Sequence, residues 1–180
     1  VTITAKYDHR GDWMQTYTGR VFYPLFPSAE AVCIEDIAHA LSLLCRFGGH
    51  CQRFYSVAEH SVHVAHAARD HLKRSALLHD ASEAYAVDIP RPLKISLPDY
   101  QVVEDLITAA IAERFGVSFD SPEIKALDRA ILVDEARQNM APPPQQWDGP
   151  TEGLGITLRF WSPEEAEHEF LAAARAYGVV

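Results

Sequence analysis

Residues 74–94, RSALLHDASEAYAVDIPRPLK, form the stretch whose reading decides the fold. Most of it has the composition of an apolar helix, yet His79, Asp80 and Glu83 stand close together in it. At about 100° per residue, Glu83 falls roughly 40° from His79, and Asp80 roughly 60° beyond that. Leu77, Leu78, Ala81 and Tyr85 fill the opposite arc, so both sides of the helix are expected to be covered. A carboxylate removed from water without a partner costs several kcal/mol or titrates to neutrality. Two carboxylates and an imidazole on one buried stripe therefore ask for a cation. Ordinary surface charges at a helix end are the competing reading of this stretch, and the flanking segments decide between them.

Upstream, SVAEHSVHVAHAAR (56–69) opens with an N-cap serine and has Glu59 three residues on, the pattern of a capping box. Its histidines separate on the helical wheel. Glu59, His63, His66 and Asp70 fall within about 60° of each other and read as a solvated stripe. His60 lies about 100° away beside Val57, Val64 and Ala67, on the inner face. Downstream, a helix from Pro122 to Met140 has Ile124, Leu127, Ile131 and Leu132 as its apolar face, with Asp128 in the middle and Glu135 two turns on. Glu123, Arg129, Asp134 and Arg137 read as surface charges. An aspartate centred on an apolar stripe is the second anomaly of the chain, and it matches the first.

The remaining segments frame these three. A helix over 35–47 is stopped by Gly48-Gly49, with Arg46 in its last turn. That arginine is read either as a helix-end cation or as a phosphate ligand, should the turn face the site. VDIPRPLKISLP (87–98) reads as an extended, proline-stiffened loop that brings Asp88, Arg91 and Lys94 near His79 and Glu83. Residues 99–115 are amphipathic and end at Gly116; a last helix runs from Pro163 to Tyr177. Two short segments, RVFY (20–23) and ITLRFW (156–161), are expected to pair as a small β ribbon. The fold class is therefore all-α: one domain over 1–180, a bundle of about six helices with a minor two-stranded ribbon. Its helical core covers about 35–140, and 141–180 is a connection plus the C-terminal helix.

Composition narrows the function. The formal net charge is -9, from 16 basic and 25 acidic residues, so no basic face is offered to a nucleic-acid polymer. No apolar run approaches the roughly 20 residues of a membrane span, and no signal peptide is expected. Cys33, Cys45 and Cys51 are odd in number and lack CxxC spacing. Reduced core thiols of a cytoplasmic protein are the expectation, and zinc-finger or redox roles are disfavoured.

Three helices thus each direct a polar element inward: His60, the His79-Asp80 pair, and Asp128. Two imidazoles and two carboxylates make a mixed nitrogen and oxygen set suited to one divalent ion, with Mn, Co, Mg, Fe and Zn all admissible. Glu83, one turn from His79, is placed to reach a water at the cation without ligating it.

The ordered set H…HD…D, within FYSVAEHS (54–61), LLHDASEAY (77–85), DIPRPLK (88–94) and ALDRAILVDEAR (126–137), strongly resembles the HD superfamily of metal-dependent phosphohydrolases. The likeness is to its small bacterial and phage members that act on nucleotides, and it covers nearly the full length. It implies that His60, His79, Asp80 and Asp128 bind the metal and that Glu83 assists catalysis alongside Asp80. It also implies that Arg46 and Asp88 contact phosphate and sugar. In a related phage branch that hydrolyses deoxynucleoside triphosphates, the position matching Lys94 contacts phosphate. Phe47 departs from the pattern, standing where the monophosphate-cleaving relatives have a tryptophan near the nucleoside. The expected partner is a small nucleotide, and members of this group commonly dimerise. Two other classes stay in view. A di-iron oxygenase on the same scaffold would need further histidines between Asp80 and Asp128, where the chain has none. A non-catalytic nucleotide-sensing module would keep the metal for stability, but it would have no use for Glu83, Arg46 and Lys94 around it.

Overall fold

The structure, a computed structural model, describes residues 11–180. Helix α1 (Ile34–Leu43) leads into α2 (Val57–Ala67), and two short segments follow, α3 (Lys73–Leu77) and α4 (Glu83–Ala86). A single turn, α5 (Arg91–Lys94), precedes the two longest helices, α6 (Pro98–Phe115) and α7 (Pro122–Asn139); α8 (Pro163–Ala176) closes the chain. The all-α expectation holds.

Helix α2 sits at the centre. Every residue from Val57 to Ala65 is buried, because α1, α3, α7 and α8 all pack against it. A helix covered on every side must find partners for each of its polar groups. The Ser56 hydroxyl accepts the Glu59 N–H at 3.0 Å, as the capping pattern predicts. The Glu59 carboxylate does not reach back to complete the box. It is fully buried and accepts the backbone N–H groups of Arg159, Phe160 and Trp161 at 2.7, 3.0 and 2.7 Å. His63 is also buried, 3.3 Å from Glu59 and stacked on Trp161. The solvated stripe expected there exists only from His66 onward. What the wheel could not register is that the C-terminal segment lies across that face.

The same segment corrects the ribbon. Val21–Phe22 (β2) does form a strand, but it pairs with Met14–Gln15 (β1). Residues 154–161 are held by side chains instead. Asp134 accepts the N–H groups of Leu154 and Ile156 at 2.7 and 3.2 Å, and Gln138 that of Leu158 at 3.1 Å. The alternating pattern in ITLRFW thus reports a genuine period-two conformation whose hydrogen bonds go to a helix face. Asp134, read as a surface charge, is buried for this reason. Gly153 is required here, since a Cβ on it would collide with the Asp134 carboxylate.

The helix expected from Arg74 onward is also interrupted. The α3 geometry stops at Leu77, and residues 78–82 tighten into turns, with Ala81 N–H on Leu78 O and Glu83 N–H on Asp80 O, both at 3.0 Å. His79 and Asp80 therefore lie in a turn between α3 and α4. Likewise α1 ends at Leu43, and Arg46 occupies a separate 3-10 turn (Arg46–Gly49) after an antiparallel bridge between Cys45 and Ser56. The loop after α4 is not wholly extended, because Pro90 and Pro92 allow the single turn α5. Elsewhere the sequence reading stands: Gly116 caps α6 in the left-handed region, and Pro163 opens α8. The structure adds a complete capping box on α8, formed by Ser162 and Glu165. All three cysteines are free thiols.

Candidate metal centre

His60 supplies the floor of the site. Its side chain is fully buried on α2, and its Nδ1 lies 2.7 Å from Glu135 Oε1 on α7. A carboxylate only accepts, so Nδ1 carries the proton and Nε2 faces the site with its lone pair. His79 is fixed in the same way: Nδ1 donates to the Ala76 carbonyl at 2.8 Å, which again leaves Nε2 pointing inward. These two Nε2 atoms stand 3.2 Å apart. Asp128 Oδ1 lies 3.2 and 3.8 Å from them, and Asp80 Oδ2 3.5 and 3.3 Å.

Two lone pairs and two carboxylate oxygens converging on one point repel each other unless positive charge sits among them. Around an ion with ligand bonds near 2.1 Å, neighbouring donors are separated by about 3.0 Å in an octahedron and about 3.4 Å in a tetrahedron. The observed separations fall around those values. The His60, His79 and Asp128 donor atoms lie within 4.8 Å of one another and could hold a metal ion. Protonation shows the same demand. Burial and Arg46 push the His60 imidazole down, but Glu135 and Asp128 outweigh them and raise it to about 9. Burial opposes ionisation of Asp128, yet the two histidines hold it well below the usual carboxylate range.

The cluster is open on one side only. His60 is 0% exposed and His79 11%, whereas Asp80 is 21% and Asp128 37% exposed. A ligand would approach over the two aspartates.

Glu135 is the residue that sequence reasoning saw but gave no role. It is fully buried, orients His60, and receives Arg46 Nη2 at 3.2 Å. Burial raises its carboxyl, but Arg46 and His60 bring it down to about 2. Its spacing of seven from Asp128 was the available signal, two turns along one helical face. Arg46, only 10% exposed, also approaches Asp80 Oδ2 at 3.6 Å, which places its guanidinium beside the cluster. Its turn continues through Phe47, whose φ of 57° is left-handed and whose ring lies 6.3 Å from that of Trp147.

Glu83 is buried, and its Oε2 has no hydrogen-bond partner. Burial, then the neighbouring Asp80 and Asp88, push its carboxyl well above the ordinary range. Asp88 is raised by burial as well. Lys94 is near enough to bear on both carboxyls, but its Nζ is engaged by Glu104 at 2.5 Å. Arg91 is exposed. A cavity of about 490 Å³ lies between α7 and residues 141–151 and is lined by Arg129, Leu132, Met140 and Trp147, not by the cluster.

These features define a helical protein with a histidine-aspartate cluster able to hold a cation. Among curated proteins, the chain is 41% identical to the uncharacterized protein YfdR of Escherichia coli over 126 residues, which cover 69% of this chain and 71% of the relative. It is 32% identical to the uncharacterized protein RCAP_rcc00048 of Rhodobacter capsulatus over 181 aligned positions, covering 89% and 92%. The chain belongs to the family of these two proteins. No family model matches it. Among the described residues, no helix is long and apolar enough to cross a membrane.

Proposed function

We propose that this protein is a metal-dependent phosphohydrolase of the HD superfamily, acting in the cytoplasm on a deoxynucleotide and cleaving its 5′-phosphate. The observation that carries the reading is the pair of inward Nε2 lone pairs, 3.2 Å apart between two carboxylates, with an unpartnered buried Glu83 oxygen close by. His60, His79, Asp80 and Asp128 would hold one divalent ion. Bound there, it supplies Lewis acidity toward water and phosphoryl oxygens.

The protein's own groups do the rest. Asp80 orients the attacking water on the open side of the cluster. Glu83, kept neutral by burial and by its acidic neighbours, holds a proton at the carboxyl and delivers it to the leaving 5′-oxygen. Arg46 offers the cation nearest to where a phosphate would sit. Phe47, next to that arginine, offers an aromatic face for a base.

The test is a panel of nucleoside mono-, di- and triphosphates with Mn²⁺ or Co²⁺ and product identification. Orthophosphate from deoxynucleoside monophosphates is expected. Tripolyphosphate from triphosphates would replace this reading with a triphosphohydrolase, and no turnover of any member would overturn it in favour of a metal-holding module.

A further inference from the structure

Cys45 and Cys51 flank the turn that carries Arg46, and their sulfurs are 3.4 Å apart, in van der Waals contact. The chain reverses between them because Phe47, Gly48 and Gly49 are all left-handed, with φ of 57°, 58° and 80°. Two of the three are glycines, so the reversal costs little except at Phe47. Both thiols are half-buried, which leaves each open to solvent on one side, whereas Cys33 is buried and donates to Glu35. The sulfurs need to close by only about 1.4 Å to reach the bonded separation of about 2.05 Å. The five residues between the cysteines hide this pair from any CxxC search.

We infer that Cys45 and Cys51 form a reversible disulfide across the Arg46 turn, a modification site that couples thiol oxidation to the metal centre. The oxidant is a low-molecular-weight disulfide. A thiolate of one cysteine attacks it, releasing one thiol and leaving a mixed disulfide on the protein. The second cysteine then loses its proton, attacks the protein sulfur of that mixed disulfide and expels the second thiol. Two protein thiols are oxidised and one external disulfide is reduced to two thiols. Burial and the adjoining Cys45 hold the Cys51 thiol up at about 11, so the reaction quickens toward alkaline pH. The structural consequence follows from Arg46. Its backbone N–H is tied to Tyr55 O at 2.9 Å and its guanidinium to Glu135, which in turn orients His60. Drawing Cys51 onto Cys45 shifts this turn and loosens the hold on Glu135.

The full chain, fully reduced, is incubated with oxidised glutathione and read by intact mass, thiol titration and peptide mapping. A loss of two hydrogens is expected, with free thiols falling from three to one, a 45–51 link and full reversal by dithiothreitol. Mn²⁺ affinity, measured by calorimetry on the oxidised protein, should fall roughly tenfold, as when the partner of a ligating histidine is disturbed. Cys51→Ser treated identically should keep its affinity. A stable glutathione adduct without the internal bond, or no reaction, overturns the disulfide. A disulfide that leaves Mn²⁺ affinity within about twofold overturns the coupling. The coupling rests on the metal reading and the disulfide does not, so the mass result stands apart from any failure of the reduced protein to bind Mn²⁺.

Discussion

Glu135→Gln is the most discriminating perturbation of the centre. The carboxylate is fully buried between two positively charged or proton-donating groups, His60 at 2.7 Å and Arg46 at 3.2 Å. Glutamine keeps the shape and an oxygen for His60 Nδ1, but removes the charge that Arg46 faces. Breaking a buried ion pair by neutralising one partner costs about 3–5 kcal/mol, because the other charge stays behind. Asp80, 3.6 Å from Nη1, retains part of the compensation, so a loss near the low end, about 3 kcal/mol, is expected. Urea denaturation of the metal-free protein at pH 7 measures it. A double-mutant cycle with Arg46→Met should return a coupling of about 2–3 kcal/mol, since hydrophobic replacement of the arginine removes the stranded charge. In parallel, Mn²⁺ affinity should drop about tenfold through the altered acceptor of His60. A stability loss below about 1 kcal/mol, or an unchanged affinity, would refute the account of Glu135 as the strut of both Arg46 and His60.

Asp128→Ala and His79→Ala should each abolish the thermal stabilisation that excess Mn²⁺ confers on the wild type, since an ion held only by the folded state stabilises it; retained stabilisation in both would remove the cluster as the binding site. Glu83→Gln should lower turnover about 10²- to 10⁴-fold while Mn²⁺ titrates as before; loss of the ion instead would make Glu83 a ligand. Glu59→Gln should destabilise by about 2–3 kcal/mol at pH 7, because three backbone N–H groups then share a neutral acceptor. Burial raises the Glu59 carboxyl, but His63 and those N–H groups outweigh it and lower it below 4.5. Its stabilisation is thus full above the unfolded value of 4.5 and is lost as pH falls through the lower folded value. The gap between wild type and Glu59→Gln should therefore narrow in denaturation experiments below pH 4.5, and a pH-independent gap would count against a charge effect. His66→Ala, at an exposed position, should be near neutral, whereas His63→Ala should cost about 1–2 kcal/mol on thermal melting because the ring is buried against Trp161.

The chain by itself determined which helices form and which residues are out of place in them. Periodicity located α1, α2, α6, α7 and α8 to within a few residues, because an amphipathic face and a capping residue are local properties. It also singled out His60, His79, Asp80 and Asp128, because a polar group on an apolar stripe is visible without knowing what covers it. What covers it is non-local, and there the tertiary structure decided. Glu59, His63 and Asp134 looked solvated on their wheels and are buried because residues 154–161 cross them, laying N–H groups on the two carboxylates and the Trp161 ring on His63. Glu135 acquired a role only when α2 brought His60 to it across 75 positions of sequence. The break between α3 and α4 has the same origin. Helix geometry alone would have carried 74–86 through as one rod, whereas in the structure His79 and Asp80 face His60 and Asp128 from a tighter turn at 78–82.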